Sequence, residues 1–237
     1  MANERFANVA LSLLAGDNWD SFAGNFEQVE LTVRERLDSP GEQSPFVYFP
    51  TSAVVSLVME LKSAETIECG LVGVEGYVPF GNTLTSGIAG CQAVVQLPGT
   101  ALRIQWRALE ELSHRYAQLR AYQLRYGEYL IACVAQSVAC NAFHPLEPRL
   151  ARRLLAMTDA VHSDQFQLTH ELLGQMLGAH RPTVTAAARS LQEKGGIRYR
   201  YGRIGILDRE VLAASACECY QANRGRLEAL LLPMVTS

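Results

Sequence analysis

The first hundred residues are patterned as strands. Gln28-Val29-Glu30-Leu31-Thr32-Val33-Arg34 alternates apolar and polar side chains at the period of two that half-buries a strand. Short β-rich runs follow at 46–49, 53–61, 66–72 and 91–97. Turn chemistry separates them at Ser39-Pro40-Gly41, Pro50-Thr51-Ser52, Gly73 to Gly76 and Pro98-Gly99. Many short strands with regular turns predict an antiparallel sandwich or roll. Residues 6–24 read as a short helical lead-in.

The period then switches. From about Ala108 to Asn141 there is no proline and a single glycine, and the apolar positions recur at helical spacing. One stripe runs Leu109, Leu112, Tyr116, Leu119, Gln123, Tyr126, Leu130, Cys133, Ser137, Cys140, in the steps of three and four that mark a coiled-coil seam. A second stripe, Leu124, Gly127, Ile131, Val134, Val138, runs beside it. One apolar face is enough to dock a helix on its own domain, and two suggest a helix shared with a second copy of the chain. The polar Gln123 and the aromatic Tyr116 and Tyr126 favour a partly wet dimer seam on the first stripe. Leu112, Tyr116, Leu119, Gln123, Tyr126, Leu130 and Cys133 are therefore the expected dimerisation residues. A fully buried central helix is the alternative. Phe143-His144-Pro145 ends the helix, because proline disfavours α geometry in the residue before it.

Residues 168–207 form the most informative stretch. Thr169 is placed to cap a helix with Leu172, Leu173, Met176 and Leu177 on its apolar face, and Gly178 supplies a tight turn. A second helix starts near Arg181-Pro182 and buries Val184, Ala187, Ala188 and Leu191. Two short helices joined at a glycine are the helix-turn-helix pattern. Arg198-Tyr199-Arg200-Tyr201-Gly202-Arg203-Ile204-Gly205-Ile206-Leu207 then reads as two strands about a tight turn, which is a wing. His180, Arg181, Thr183, Thr185 and Arg189 fall on the exposed side of the second helix, where donors meet base edges. Thr169, Arg198, Arg200 and Arg203 complete the expected DNA-binding set, with the wing arginines suited to phosphates.

Charge sharpens that reading. The chain has 237 residues, 49% of them hydrophobic, and a formal net charge of −3. This excludes a disordered chain, and no run is long and apolar enough for a membrane span. The first residues lack a basic n-region, so a cytoplasmic location is expected. Residues 1–144 hold nine Lys/Arg against fifteen Asp/Glu, whereas 145–237 hold twelve against nine. Within 180–203 there are six basic residues and one acidic residue, Glu193. A basic segment on an acidic chain calls for a polyanionic partner.

Over nearly its full length the sequence resembles the Crp/Fnr superfamily of bacterial transcription regulators. The resemblance rests on Leu168–Ile197 with Arg198–Asp208, and on Cys140-Asn141-x-x-His144-x-x-Glu147-x-Arg149-Leu150-Ala151-Arg152 before them. Phe49-Pro50-Thr51-Ser52-Ala53-Val54-Val55-Ser56-Leu57 adds a match to the early strands. It implies an α+β chain with three parts: an antiparallel β-roll of the cyclic-nucleotide-binding kind (1–106), a long dimerisation helix and hinge (107–143), and a winged helix-turn-helix (144–237). The implied partners are double-stranded DNA bearing an inverted repeat, a second copy of the chain, and RNA polymerase. Two departures matter. Where the family carries Arg-Glu-x-x-x-Arg on its recognition helix, this chain keeps Arg181 but has Pro182 and Ala186, so the usual half-site does not transfer. Where cyclic-nucleotide binders carry a Gly-Glu and an Arg-Ser or Arg-Thr pair, Pro79 to Gly90 contains neither Glu nor Arg. A buried phosphate without a cation is costly, so an unidentified effector, or none, is expected in the roll.

Six cysteines are too few and too scattered for a disulfide scaffold. The first is Cys69, which argues against an N-terminal iron–sulfur cluster. Cys133 and Cys140 lie on the expected seam, where each could approach its own twin. Cys217-Glu218-Cys219 is too closely spaced for a usual zinc pair without further ligands. The cysteines therefore read as small apolar core residues, with no metal and no cofactor expected. All five histidines (His114, His144, His162, His170, His180) lie outside the β region, which rules out a cupin-like metalloenzyme. No nucleophile elbow or phosphate-binding glycine loop is present, so no catalytic residues are assigned. A cyclic-nucleotide-binding-like module acting on a partner protein remains the rival reading.

Overall fold

The structure, a computed structural model, describes residues 8–15, 23–42, 44–79, 90–161 and 163–231. The chain divides into two compact units. One comprises Met1–Leu57, Leu71–Ile131 and Leu230–Ser237; the other comprises Val58–Gly70 and Ala132–Ala229.

In the first unit, α1 (Val9–Ala15) and a single 3-10 turn (Ala23–Asn25) precede the strands β1 (Glu27–Leu31), β2 (Arg36–Asp38), β3 (Phe46–Pro50), β4 (Val54–Glu60), β5 (Thr66–Val72), β6 (Gln92–Leu97) and β7 (Gly99–Gln105). They form two sheets, ordered β1-β7-β3 and β2-β6-β4-β5. β7 pairs antiparallel with both β1 and β3, in register Val29↔Ala101 and Phe49↔Leu102. The expected 28–34 run stops at Leu31. The Glu35 carboxylate accepts from Thr32 N at 2.8 Å, and the chain turns through Arg34 at φ 68°. The lead-in helix forms as α1, while residues 6–7 and 16–22 of that expectation lie outside the described ones. So do residues 80–89, which make up most of the Pro79–Gly90 segment.

The core of this unit is aromatic. Phe49, Tyr77, Tyr122 and Tyr126 are all fully buried. The Tyr77 and Tyr126 ring centroids lie 4.7 Å apart, and the Tyr77 N–H donates to Tyr126 Oη. Gly76 makes room for that hydroxyl, since a Cβ there would sit 1.9 Å from Tyr126 Oη. Asn8 fixes α1 by donating to the Pro50 and Gly76 carbonyls at 2.8 Å each. Asp38 is buried at the end of β2, and its Oδ1 has no hydrogen-bond partner among the described residues. Burial raises its carboxyl to about 6.

The expected single long helix is two. α2 (Trp106–Arg115) ends at Tyr116, whose backbone is extended (φ −117°, ψ 101°), and α3 runs from Ala117 to Phe143. Neither glycine nor proline marks this break.

The expected seam also needs correction. Leu119, Gln123, Tyr126, Leu130 and Cys133 are buried within the chain itself, and Leu112 and Tyr116 on the preceding segment are half-buried. Cys140 is buried as well, so neither Cys133 nor Cys140 is placed to meet its twin. The exposed face of α3 carries three of the five neighbouring-stripe residues: Leu124 is 50% exposed, Ile131 67% and Val138 65%, whereas Gly127 is buried and Val134 half-buried. With Ala121, Glu128, Ala135 and Ala142, also exposed, these positions repeat in steps of three and four.

The second unit holds the C-terminal helices. α4 (Leu146–Val161) is followed by β8 (Gln165–Gln167), α5 (His170–Leu177), α6 (Arg181–Glu193), β9 (Ile197–Arg200), β10 (Arg203–Ile206), α7 (Arg209–Ser215) and α8 (Cys219–Leu231). The strands form a small sheet ordered β8-β10-β9. Leu150, Leu154, Leu155 and Met157 of α4 are fully buried, as are Leu173, Val184, Leu191 and Leu212. No described helix is long and apolar enough to cross a membrane.

Candidate nucleic-acid interface

The turn between α5 and α6 is fixed by backbone geometry. Gly178 adopts φ 58°, ψ 44° and donates its N–H to the Gly174 carbonyl, closing α5 with a left-handed cap. Gly174 is needed for close approach, because a Cβ there would lie 2.7 Å from the Ala179 carbonyl oxygen. At the other end, Thr169 Oγ1 accepts from Leu172 N at 3.2 Å, the cap expected of it. His180 is the N-cap of α6, and Pro182 lies in its first turn where no N–H is required. Val184, Ala187, Ala188 and Leu191 bury one face of α6, as their spacing predicts.

The residues that carried the resemblance hold this frame together. Arg149, buried on α4, donates through Nη2 to Asn141 Oδ1 and to the Leu177 carbonyl at the end of α5. Glu147 pairs with Lys194 just beyond α6. Gln192 Oε1 accepts from Tyr199 N at 2.8 Å, which ties α6 to the wing. Arg209 donates to Tyr220 Oη and pairs with Asp159, and the Tyr220 hydroxyl donates to Asp159 Oδ2.

The outward face is cationic. His180, Arg181, Thr183, Thr185 and Arg189 are all exposed on α6, and Thr169, Arg198, Arg200 and Arg203 are exposed around it. Arg189 has only a loose pair with Glu193, at 3.9 Å. Thr185 is the least available of the set, because its hydroxyl donates to the Arg181 carbonyl and lies 2.9 Å from His170 Nδ1. His170, not singled out by sequence, stacks on Tyr199 at 4.0 Å between centroids. Burial, reinforced by the Arg181 charge, lowers its imidazole and favours the neutral ring.

The wing is a two-residue hairpin. Tyr201 and Gly202 both have positive φ, 50° and 73°, the pattern of a type I′ turn. Arg200 pairs directly across it with Arg203. Neither has an ion-pair partner among the described residues. Tyr201, at the tip, is 88% exposed with the Arg200 guanidinium 5.1 Å from its ring centroid. Like charges directly opposite on a hairpin are destabilising. Such a pair is suited to meeting an anion from outside.

Residues 148–215 match the Crp-like helix-turn-helix domain family. Solved structures align over most of the chain. FixK2 from Bradyrhizobium japonicum matches at 17% identity and TM-score 0.67, covering 81% of this chain and 98% of its own. A Crp-family transcriptional regulator from Thermus thermophilus matches at 24% identity and TM-score 0.61, covering 79% and 96%. The chain has the fold of Crp/Fnr regulators, with a Crp-like helix-turn-helix at 148–215. No curated protein matches it in sequence. The Crp/Fnr fold accounts for the antiparallel β region, the long helix and the C-terminal helix-turn-helix together.

Proposed function

We propose that the chain is a homodimeric, sequence-specific transcription regulator acting in the cytoplasm on an inverted repeat of double-stranded DNA. The observation that carries this reading is the exposed cationic face of α6 with the Arg200–Arg203 pair on the wing. α6 enters the major groove by its N-terminal end, so His180, Arg181, Thr183 and Arg189 read bases and adjacent phosphates. Thr169, Arg198, Arg200 and Arg203 hold the backbone, and Thr185 supports α6 from its Arg181 and His170 bonds. Two copies pair through the exposed stripe of α3, centred on Leu124, Ile131 and Val138. Burial of the Leu119–Leu130 stripe inside the chain leaves this one to be covered. RNA polymerase is the further partner that the regulator role implies.

The β unit receives the signal, and its charge disfavours a cyclic nucleotide. Lys62, the one basic residue in 41–100, is exposed in the β4–β5 turn. Arg103 on β7 is engaged by Glu27 at 2.8 Å and lies over the Phe46 ring at 4.4 Å. The testing experiment is selection of binding sites from random duplex DNA by the purified full chain, followed by footprinting. Recovery of an inverted repeat with half-sites about one helical turn apart supports the proposal. Absence of any enriched site, or a monomer on a single asymmetric site, overturns it.

A further inference from the structure

Four side chains far apart in sequence converge beside the winged helix and play no part in the DNA-facing surface. Cys140 lies in the last turn of α3 and His144 just beyond it, four residues on and on the same helical face. Cys217 lies between α7 and α8, and Cys219 is the first residue of α8. The three sulfurs and one histidine nitrogen all lie within 4.8 Å of one another. Cys140 Sγ is 3.5 Å from Cys217 Sγ, and Cys219 Sγ is 3.5 Å from His144 Nδ1. A tetrahedral zinc ion with thiolate and imidazole ligands has ligand–ligand edges of roughly 3.5–3.8 Å, from bonds near 2.3 and 2.1 Å. The Cys-x-Cys pair, too close to serve alone, meets two further candidate ligands at and just beyond the end of α3.

The neighbouring groups suit a bound cation. His144 Nε2 lies 3.1 Å from Glu218 Oε1, which leaves Nδ1 turned toward the sulfurs. This is the carboxylate–histidine arrangement that orients an imidazole ligand. Gln136 Nε2 donates to Cys219 Sγ at 3.1 Å, and Arg226 donates to Gln136 Oε1 at 3.0 Å, fixing the amide. Cys140, Cys217 and Cys219 are all buried, and together they form a small cluster of their own. Three thiolates and one neutral imidazole around a divalent ion leave one net negative charge, and the Arg149 and Arg152 guanidiniums bear on it electrostatically.

We propose that Cys140, His144, Cys217 and Cys219 bind one zinc ion as a closed structural site. Four protein ligands leave no open position, so the ion clamps the end of α3 to the α7–α8 junction and does no hydrolytic chemistry. Its binding displaces the thiol protons and adds its own free energy to the fold of this unit.

The test uses the full chain, purified under reducing conditions and stripped of metal. One Zn²⁺ per chain by elemental analysis after reloading is the expected result. With Co²⁺ as probe, the intense visible bands of tetrahedral thiolate coordination should appear. Cys217→Ser or His144→Ala should abolish the stoichiometric ion, while Cys91→Ser keeps it. Glu218→Gln, which leaves all four ligands in place, should weaken Zn²⁺ binding by about 10–100-fold. Should a ligand variant fail to fold, the Co²⁺ spectrum of the unmodified chain decides alone. No uptake of either ion, uptake indifferent to Cys217→Ser, or a Cys140–Cys217 disulfide in the reduced preparation overturns the proposal.

Discussion

Arg200 and Arg203 stand directly opposite one another across the wing hairpin, and neither has an acidic partner among the described residues. Replacing either with Ala should weaken binding to good and poor DNA sites alike. The dependence of log affinity on log salt should become shallower by about one unit per arginine removed. Fluorescence anisotropy over a salt series measures both. A loss confined to the best site would show instead that the wing reads bases.

Arg181 should behave in the opposite way. It sits exposed at the N-terminal end of α6, where a guanidinium reaches a guanine edge. Arg181→Ala should cost about 1–3 kcal/mol on the selected site and flatten the preference at one base position. Competition assays against single-base variants of the site check this. Equal losses on every sequence would make Arg181 a phosphate contact.

The two stripes of α3 predict different failures. Ile131→Asp with Val138→Asp should give a folded monomer by sedimentation that no longer binds the inverted repeat. Leu119→Asp should instead unfold or severely destabilise the chain, since it buries an unpaired carboxylate at a position that is 7% exposed. A dimeric Ile131/Val138 variant with unchanged affinity would place the pairing surface elsewhere.

Spacing along the sequence does not separate these two stripes. The strands, the α5–Gly178–α6 turn and the wing were legible because each has local chemistry: alternation, a left-handed glycine, a Tyr-Gly turn. The choice between stripes was not, because Leu119–Gln123–Tyr126–Leu130 and Leu124–Gly127–Ile131–Val134–Val138 both advance in steps of three and four. Tyr126 Oη against Gly76, fifty residues away, decides which one turns inward. The break at Tyr116 has no breaker residue to announce it. The Cys140–Cys217 meeting spans 77 residues and exists only once α3 and α8 are folded.

Asp38 gives a pH prediction. Its carboxyl is raised from 3.8 to about 6 by burial, so the folded unit prefers the protonated form. The associated stability is fully present below the unfolded value and is lost as pH rises through about 6. Asp38→Asn should therefore match the parent near pH 4 and exceed it at pH 8, by at most about 3 kcal/mol at 1.36 kcal/mol per unit. Urea denaturation at both pH values tests the sign. A variant less stable at pH 8 would refute it.

Calorimetry with the ligand-free chain should show no micromolar binding of cyclic AMP or cyclic GMP. Arg103 is held by Glu27, so Glu27→Gln is the variant in which weak binding would first emerge. Tight binding of either nucleotide by the unmodified chain, with a matching gain in DNA affinity, would reverse this.

Arg149 is the feature with the widest reach. One guanidinium nitrogen serves both Asn141, in the final turn of α3, and the carbonyl of Leu177, which closes α5. A twist of the last turn of α3 cannot pass unnoticed by the DNA-reading pair of helices. Either Arg149 follows and drags the end of α5 with it, or a bond breaks and a buried acceptor is left unsatisfied at about 1–3 kcal/mol. In the proposed dimer the joint acts as a gear, in which torque along α3 is spent either on turning α5 or on stripping a tooth.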